Sequence, residues 1–327
     1  MKPKTVALLV LSGLLSSCTR LGSTPSDGGP ALLTLTGELD AHDPTLFKAG
    51  NTYYVFSTGL IQTEADPGGI RVRSAPSLNG EWKVQGAITA PEWAKNGYHA
   101  NNLWAPNVVK NGDTYYLYYA VSEFGKNHSA IGLATTTTPG DLGSWQDQGP
   151  ILTSNTTDDF NAIDPHVFND GGQWWISYGS FWSGLKLQKL QDMKTPTGDR
   201  VALADRPGVQ YNPIEGPAIT KHGSYYYLFM SWDFCCQGRN TTYKLAVGRS
   251  TSVTGPYVDR TGKALTEGGG TVLLTGQGSL VGAGGEDVYT EGGNTHLIYH
   301  SYDANQNYLP TMSIRRLGWS GDWPTVE

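Results

Sequence analysis

Residues 159–184 read DFNAIDPHVFNDGGQWWISYGSFWSG and contain the pattern that decides the fold. An acid–proline step at Asp164 and Pro165 opens an apolar strand, a Gly-Gly turn follows, and the ring pair Trp174-Trp175 starts the return strand. Two apolar runs separated by a glycine turn are the signature of a β-hairpin. This stretch therefore predicts two paired strands that begin at an acidic residue.

The same hairpin unit occurs five times along the chain. In each copy, the first residue lies ten positions before the first member of a pair of large residues, usually aromatic. The five first residues are Asp43, Ala105, Asp164, Gly216 and Glu286. A repeat period near 60 residues, built from strands and glycine-rich turns, is typical of propeller blades and not of helical solenoids.

A third strand follows each hairpin. Residues 70–74 and 130–135 show the period-two alternation of a half-buried strand, and equivalent runs follow the other three hairpins. Four of these runs lead to a glycine turn and a further aromatic residue. The sequence therefore predicts an all-β fold, a five-bladed β-propeller with four antiparallel strands per blade, and no segment has sustained helical periodicity.

The N-terminus has the features of an export signal. Lys2 and Lys4 precede an apolar run that is too short to span a bilayer, so residues 1–17 are interpreted as a signal peptide. The run ends in Leu-Ser-Ser-Cys18, which resembles the lipobox of bacterial lipoproteins. The alternative is an ordinary signal peptide cut nearby. We expect an exported lipoprotein held to the membrane or cell surface through a lipidated Cys18.

The residues after Cys18 divide into a tether and one domain. Residues 18–30 are rich in Ser, Gly and Pro, a composition typical of a flexible linker. No linker interrupts residues 31–327, so the whole propeller is interpreted as a single domain. We expect this domain to act as a monomer.

The composition favours a neutral ligand. The formal net charge is −6, and loss of the signal peptide with its two lysines makes the chain more acidic, which argues against a nucleic-acid partner. Charged residues make up only 16% of the chain, whereas it has 42 glycines and 11% aromatic residues. A surface with few charges and many aromatic rings suits a neutral ligand such as carbohydrate.

Cys235 and Cys236 are adjacent in the sequence. Export permits a disulfide, but neighbouring cysteines can bridge only through a strained ring outside ordinary disulfide geometry. Two free buried thiols are the alternative. The spacing of the Cys and His residues does not match a zinc site.

Carboxyl groups occupy several of the equivalent positions that a propeller brings around its axis. Asp43 and Asp164 open the first and third repeats, and Glu215 lies one residue before the opening of the fourth. An Asp before Pro often only caps a turn. Three carboxyl groups in one central cavity, however, would raise the pKa of at least one of them, as an acid catalyst requires.

Six short motifs together resemble the arabinanases of glycoside hydrolase family 43. They occur in the family's order from about residue 39 to the C-terminus, and they are specific only as a set: AHDP at 41–44, LWAP at 103–106, NAIDPH at 161–166, YGSFWSG at 178–184, IEGP at 214–217 and FCC at 234–236. The resemblance implies a five-bladed propeller that hydrolyses α-1,5-linked L-arabinofuranose chains by internal cleavage with inversion.

The resemblance also implies roles for the three carboxyl groups. Asp43 matches the general base, Glu215 matches the general acid, and Asp164 matches the third carboxylate, which orients the sugar and tunes the acid. Inversion requires an acid and a base separated by room for a water molecule, about 6.5 to 9.5 Å. The carboxyl groups that the repeats place around the axis are therefore the same ones to which the resemblance gives catalytic roles.

Further residues are candidates for contact with the sugar. Trp104 offers a ring on which a furanose can stack, although packing between blades is the alternative. By the resemblance, the sugar subsites are lined by Gly125, Asn161, Ala162, Ile163, Asp164, Ser180, Phe181 and Trp182, together with Asp43.

His300 is a candidate for a metal site. In the alignment of the repeats, the residues equivalent to His300 are Ser57, Tyr119, Tyr178 and Met230. Only the fifth repeat therefore has an imidazole at this position. The alternative is a hydrogen-bonded core histidine. The resemblance implies an axial calcium ion, for which His300 would be one ligand among waters, because calcium prefers oxygen ligands.

Two other functions remain open at this point. One is an exo-acting α-L-arabinofuranosidase or β-xylosidase of the same fold, because the shape of the cleft decides between internal and terminal cleavage. The other is a carbohydrate-binding propeller without catalysis, which the presence of all three carboxyl groups disfavours.

Overall fold

The computed structural model describes residues 33–59 and 68–327. The predicted signal peptide, Cys18 and the tether lie outside the described residues. Among those residues, no helix has the length and apolar character needed to cross a membrane.

Five sheets make up the described part of the chain. Blade 1 contains β1 Thr36–Gly37, β2 His42–Ala49, β3 Thr52–Thr58, β4 Ile70–Ala75 and β5 Glu81–Ile88. Blade 2 contains β6 Trp104–Asn111, β7 Thr114–Ser122, β8 Ser129–Thr136 and β9 Gln146–Ser154. Blade 3 contains β10 His166–Asp170, β11 Gln173–Tyr178, β12 Leu185–Gln191 and β13 Thr195–Ala204.

The remaining strands form the last two blades. Blade 4 contains β14 Ile214–His222, β15 Tyr225–Trp232, β16 Lys244–Ser250 and β17 Thr271–Leu274. Blade 5 contains β18 Gly276–Gln277, β19 Leu280–Glu291, β20 Asn294–Asp303, β21 Leu309–Ser320 and β22 Trp323–Val326. The described helices are short: α1 Glu92–Tyr98 and the 3₁₀ turns Leu142–Ser144, Gly238–Asn240, Leu265–Glu267 and Ala304–Gln306.

Each blade is built on four antiparallel strands in sequence order, which confirms the predicted five-bladed propeller. Two short strands are added at edges: β1 pairs in parallel with β5, and β18 pairs with β19. The first long strands of the blades, β2, β6, β10, β14 and β19, contact one another in a closed ring around the axis. Residues near the start of these strands therefore converge at one end of the axis.

The hydrophobic core is divided among the interfaces between blades. Among the described residues, five buried clusters occur, and each combines side chains from two neighbouring blades. In the cluster between blades 5 and 1, for example, Val55 and Trp82 pack with Ile298 and Met312. Burial between successive blades explains how about 300 residues fold without one large central core.

The chain segment before β2 closes the ring between blades 1 and 5. β1 pairs with the outer strand of blade 1, and the residues that follow it pair with β21 of blade 5. Here Ala41 donates its amide to Pro310, and Met312 donates its amide to Leu39. The first and last blades are therefore joined by backbone hydrogen bonds.

Arg73 fixes this closing segment to blade 1. Its side chain is fully buried. It donates to the carbonyl oxygens of Glu38 and Asp40, to Ser57 Oγ at 3.0 Å, and forms an ion pair with Asp40 Oδ1 at 2.9 Å. One buried guanidinium group therefore satisfies the polar atoms of the closing segment.

We expect Arg73→Met to lower the free energy of unfolding by about 3 kcal/mol, because it leaves buried carbonyl oxygens without their donor and leaves the Asp40 carboxylate with only its longer ion pair to Arg71. Chemical denaturation of both proteins measures this difference. Lys83→Met, which changes an exposed lysine of β5, is the control and should have little effect. Equal stability of the Arg73 variant and the wild type would contradict this role.

The predicted register is correct for four repeats and wrong by one residue for the fifth. The β2–β3 pairing has His42 opposite Thr58 and Thr45 opposite Phe56. In blade 5, Gly284 lies opposite His300 and Asp287 opposite Ile298. Gly285, and not Glu286, is therefore equivalent to Asp43. Glu286 resembles Asp43 and Asp164, the acids that open the first and third repeats. In the structure it is instead equivalent to the proline that follows the first residue of the other repeats.

This correction also changes the equivalents of His300. They are Thr58, Ala120, Gly179 and Ser231, and not Ser57, Tyr119, Tyr178 and Met230. His300 remains the single imidazole in this set. Its position at the inner end of the second strand places it beside the axis.

A cluster of buried polar residues connects the inner strands around the axis. Asp287 of blade 5 accepts hydrogen bonds from Thr45 of blade 1 and, at 3.5 Å, from Asn107 of blade 2. His166 of blade 3 lies 3.4 Å from the same carboxylate. These four residues occupy one equivalent position in their blades, so a single buried carboxylate connects four inner strands.

Candidate active site

Each inner strand begins with a bulge that bends the chain toward the axis. The first residue of the bulge has a positive φ in all five blades: 48° at Asp43, 40° at Ala105, 56° at Asp164, 62° at Gly216 and 57° at Gly285. In four blades the pairing also shifts register here. β-bulges commonly re-aim side chains beside active sites. The bulges therefore bring the predicted carboxyl groups to one end of the axis.

These residues form the floor of a large cavity of about 1280 Å³. Asp43, Asp164 and Glu215 all line it, as predicted. The volume exceeds that of a typical pocket for a drug-sized ligand. The cavity is therefore large enough for more than one sugar residue.

Asp43 lies in a set of groups that favour its ionised form. His42 Nδ1 donates to Asp43 Oδ2 at 2.8 Å, and Thr58 Oγ1 donates to the same oxygen at 2.6 Å. His300 lies 3.8 Å from the other oxygen. Burial opposes ionisation, but the charge and hydrogen bond of His42, together with the hydrogen bond from Thr58, hold the pKa of Asp43 well below its usual range.

Glu215 lies in a contrasting environment. Burial raises the pKa of Glu215 above its usual range, and the negative charge of Asp43 acts in the same direction. Ser180 Oγ donates to Oε2 at 2.7 Å and Tyr243 Oη to Oε1 at 2.8 Å, which offsets part of this effect. Glu215 therefore retains a proton at a pH at which Asp43 is ionised.

Asp164 is the third carboxyl group of the floor. Burial raises the pKa of Asp164 well above its usual range, and the charges of Glu215 and Asp43 raise it further. The amide of Gly216 donates to Asp164 Oδ2 at 3.2 Å. This bond links the third carboxyl group to the residue that follows Glu215.

Most of the other predicted sugar-binding residues line the same cavity: Trp104, Gly125, Asn161, Ile163, Ser180, Phe181 and Trp182. Trp104 is half-buried, so part of its ring remains open to the cavity. Ala162 is an exception, because it is fully buried and does not line the cavity. Its amide donates to Ser154 Oγ, which turns this residue into the core.

His300 is fully buried and does not line the cavity. Its Nδ1 accepts the amide of Asp43 at 3.1 Å, and its Nε2 lies 3.4 Å from Tyr302 Oη. Burial and the nearby His42 hold the pKa of His300 well below its usual range. In the described residues, these contacts match those of a hydrogen-bonded core histidine that positions the Asp43 backbone.

The groups around His300 do not by themselves form a calcium site. His42, Asp43 and His300 lie close enough to share an ion, but they offer two imidazoles and a single carboxylate. Calcium prefers six to eight oxygen ligands. These protein groups alone therefore do not complete a calcium shell, and the axial ion, for which the resemblance implies water ligands as well, stays a prediction.

Cys235 and Cys236 form a disulfide, which resolves the alternative that the sequence left open. Both residues line the cavity. The amide of Cys236 donates to Tyr302 Oη at 2.8 Å, and Tyr302 in turn hydrogen-bonds to His42 Nε2 at 3.0 Å. The disulfide therefore belongs to the wall that supports His42 beside Asp43.

Several residues of the site were not predicted as functional. Thr58 and Ser231 occupy the same position as His300 in their blades, so a repeat alignment with the fifth repeat in its correct register could have found them. Tyr243 lies just before β16 and has no repeat signature. Only the folded chain brings its hydroxyl group to Glu215.

The family model described as "Glycosyl hydrolases family 43" matches residues 36–324, which covers the whole propeller. The chain belongs to glycoside hydrolase family 43. It is therefore a glycoside hydrolase, as the sequence predicts.

Several known proteins resemble this chain over most of its length. It is 44% identical to the extracellular endo-α-(1→5)-L-arabinanase 1 of Bacillus subtilis, with 87% of each chain covered. It is 40% identical to an extracellular exo-α-(1→5)-L-arabinofuranosidase of Cellvibrio japonicus, covering 89% of this chain and 87% of that one. A family 43 endo-arabinanase structure from Bacillus licheniformis matches with a TM-score of 0.82 and 41% identity, over 89% of this chain and 99% of that one.

Proposed function

We propose that this family 43 member hydrolyses α-1,5-linked L-arabinofuranose bonds within arabinan, with inversion of configuration. The observation that carries the proposal is the opposite behaviour of two carboxyl groups on one cavity floor. The pKa of Asp43 is lowered and that of Glu215 is raised. Two carboxyl groups with pKa values pushed apart are the usual arrangement of a catalytic base and a catalytic acid.

In this mechanism, Asp43 accepts a proton from a water molecule as that water attacks the anomeric carbon. Glu215 donates its proton to the oxygen of the departing sugar. His42 and Thr58 keep Asp43 ionised, and Ser180 and Tyr243 orient the carboxyl group of Glu215. Attack from the side opposite to the leaving group inverts the anomeric carbon.

Asp164 is proposed to orient the sugar and to tune Glu215. Its position beside Gly216, together with the mutual repulsion of the two carboxyl groups, supports this role. Trp104, Phe181 and Trp182 would form the apolar walls against which furanose rings pack.

The test is digestion of linear, debranched arabinan with simultaneous measurement of viscosity and product size. Internal cleavage should lower the viscosity well before much reducing sugar is released. Xylan and branched arabinoxylan should be poor substrates. Release of arabinose alone from the outset would instead support terminal cleavage, which is the activity named for the Cellvibrio relative.

The pH dependence of kcat/KM should reflect the two shifted groups. Asp43 must be ionised and Glu215 protonated, so the acid limb should lie below about 3.9 and the alkaline limb above about 4.3, the usual pKa values of these side chains. His42→Gln removes the positive charge that lowers the pKa of Asp43. Its acid limb should therefore move to higher pH, and an unchanged acid limb would contradict the role of His42.

We also propose that the enzyme is exported and lipid-anchored through Cys18. The extracellular location named for two relatives supports export. The lipobox-like sequence supports the anchor. The monomeric state remains a prediction from the single-domain organisation.

The calcium prediction is tested by thermal melting with and without a chelator. An ion bound only to the folded protein stabilises it by mass action, so its removal should lower the melting temperature. An unchanged melting temperature would leave His300 with only the role seen in its contacts, which is to hold the Asp43 backbone.

A further inference from the structure

Glu286 is a buried carboxyl group in the wall of the active site. It stands where the other four blades have proline, namely Pro44, Pro106, Pro165 and Pro217. Only 7% of Glu286 is exposed, yet it lines the catalytic cavity. A glutamate at this position therefore adds an ionisable group that no other blade has there.

The contacts of Glu286 favour its neutral form. Ser231 Oγ lies 2.6 Å from Oε2, whereas Oε1 is buried and has no hydrogen-bond partner among the described atoms. A buried carboxylate oxygen without a donor is strongly unfavourable, and a proton on the carboxyl group removes this cost. Burial also raises the pKa of Glu286 to about 8, although the Ser231 hydrogen bond offsets part of this effect.

Ser231 connects Glu286 to the acid. It is the cross-strand partner of Glu215 in the β14–β15 pairing. Its Oγ and the ring of Tyr243 lie against the same side of Gly284, which places the Ser231 hydroxyl beside the Tyr243 side chain. Tyr243 Oη donates to Glu215, so Glu286, Ser231 and Tyr243 form a row of neighbouring side chains that ends at the acid.

Ser231 also fixes the chain beside the base. Its Oγ accepts the amide of Gly285 at 2.8 Å. A Cβ at Gly285 would lie 2.7 Å from His300 Nδ1 and closer still to the carboxylate of Asp43. The backbone that Ser231 holds is therefore packed directly against the Asp43 and His300 side chains.

We propose that Glu286 is a positioning residue for the acid Glu215, acting through Ser231 as a neutral carboxyl group. It does not touch the substrate in this role. Its carboxyl group fixes the hydroxyl of Ser231, and Ser231 keeps the phenol of Tyr243 at Glu215. This proposal rests on the role of Glu215 proposed above and adds a residue to it.

The test compares Glu286→Ala with Glu286→Gln on two substrates, arabinan and an aryl arabinofuranoside with an acidic phenol as leaving group. Misplacement of a catalytic group by about 1 Å can cost about 10² in rate, so Glu286→Ala should lower kcat on arabinan by about that factor. The loss on the aryl substrate should be much smaller, because an acidic phenol departs without help from the acid. KM should change little.

Glu286→Gln should lose less than about tenfold, because the amide is neutral and still presents an oxygen to Ser231. Ser231→Ala should reproduce the leaving-group dependence of Glu286→Ala. The double variant should be no worse than either single one, since both remove the same contact. Melting temperatures of all variants separate misfolding from misplacement, and Ser231→Ala still tests the contact if Glu286→Ala does not fold.

Two outcomes would overturn the proposal. One is an equal loss of Glu286→Ala on both substrates in a folded protein. The other is a Glu286→Gln enzyme as impaired as Glu286→Ala, which would require an ionised or proton-donating carboxyl group. Glu215→Ala is measured alongside, because absence of leaving-group dependence in that variant contradicts the assignment of the acid and not the role of Glu286.

Discussion

Glu215→Ala is expected to lower the rate of arabinan hydrolysis by about 10² to 10⁴, the usual contribution of general acid catalysis, while hydrolysis of an aryl arabinofuranoside is far less affected. A sugar alkoxide is a poor leaving group and needs a proton, whereas an acidic phenol leaves as an anion. The Glu215 carboxyl group, with its raised pKa and its hydrogen bonds from Ser180 and Tyr243, is suited to supply that proton. Steady-state kinetics on both substrates measure the difference.

Asp43→Ala is the matched comparison and should lose activity on both substrates, since neither reaction proceeds without an activated water. Asp164→Ala should also be impaired on both, through misplacement of the sugar and of the acid. The wild-type product should have inverted anomeric configuration when followed by NMR before mutarotation. If Asp43→Ala showed the leaving-group dependence and Glu215→Ala lost both activities equally, the two roles would be exchanged.

Gly285→Ala is expected to lower kcat by at least about 10², through displacement of the Asp43 carboxylate. The positive φ of 57° is not the main reason, because Ala105 adopts a φ of 40° at the equivalent position of blade 2. The reason is space. A Cβ at Gly285 would approach Asp43 Oδ1 and His300 more closely than Cβ atoms are found in proteins, so the base or the backbone must move.

Gly216→Ala is the matched control for this prediction. Gly216 has the same bulge position in blade 4 and a φ of 62°, but a Cβ there would lie 3.5 Å from Ser231 Oγ, an ordinary contact. It should therefore lose much less activity than Gly285→Ala. Rate measurements with circular dichroism to check folding compare the two. Equal losses in both variants would mean that backbone strain, and not contact with Asp43, decides the effect.

The sequence predicted the blades well because their signals are local. A strand, a glycine turn and a ring-rich return strand depend on neighbouring residues, and their repetition at a constant internal spacing identified the hairpins of all five blades. The fifth repeat was misaligned because Glu286 resembles an opening acid, and no proline follows it to correct the register. Backbone pairing with β20 showed that Gly285 opens this blade.

The candidate site was only partly predictable. Asp43, Asp164 and Glu215 were found because each lies at or beside a repeated position, and their convergence follows from propeller geometry. Ala162 was misjudged, because a motif does not reveal which of its residues turn into the core. The metal role of His300 stays a prediction, and the sequence did not reveal that its Nδ1 accepts the Asp43 amide, a contact between residues 257 positions apart.

The amino-acid sequence by itself determined the fold class, the number of blades, the family and the three carboxyl groups, because these depend on short-range patterns that repeat along the chain. Only the tertiary structure showed the surroundings that lower the pKa of Asp43 and raise those of Glu215 and Asp164. The pKa of a carboxyl group depends on its burial and on the charges within a few ångströms, and His42, Thr58, Tyr243 and Ser231 act on the site through contacts between strands and blades. The segment before β2, held by the buried Arg73, closes the ring. This closure was likewise decided by the tertiary structure, through backbone pairing with β21 of blade 5.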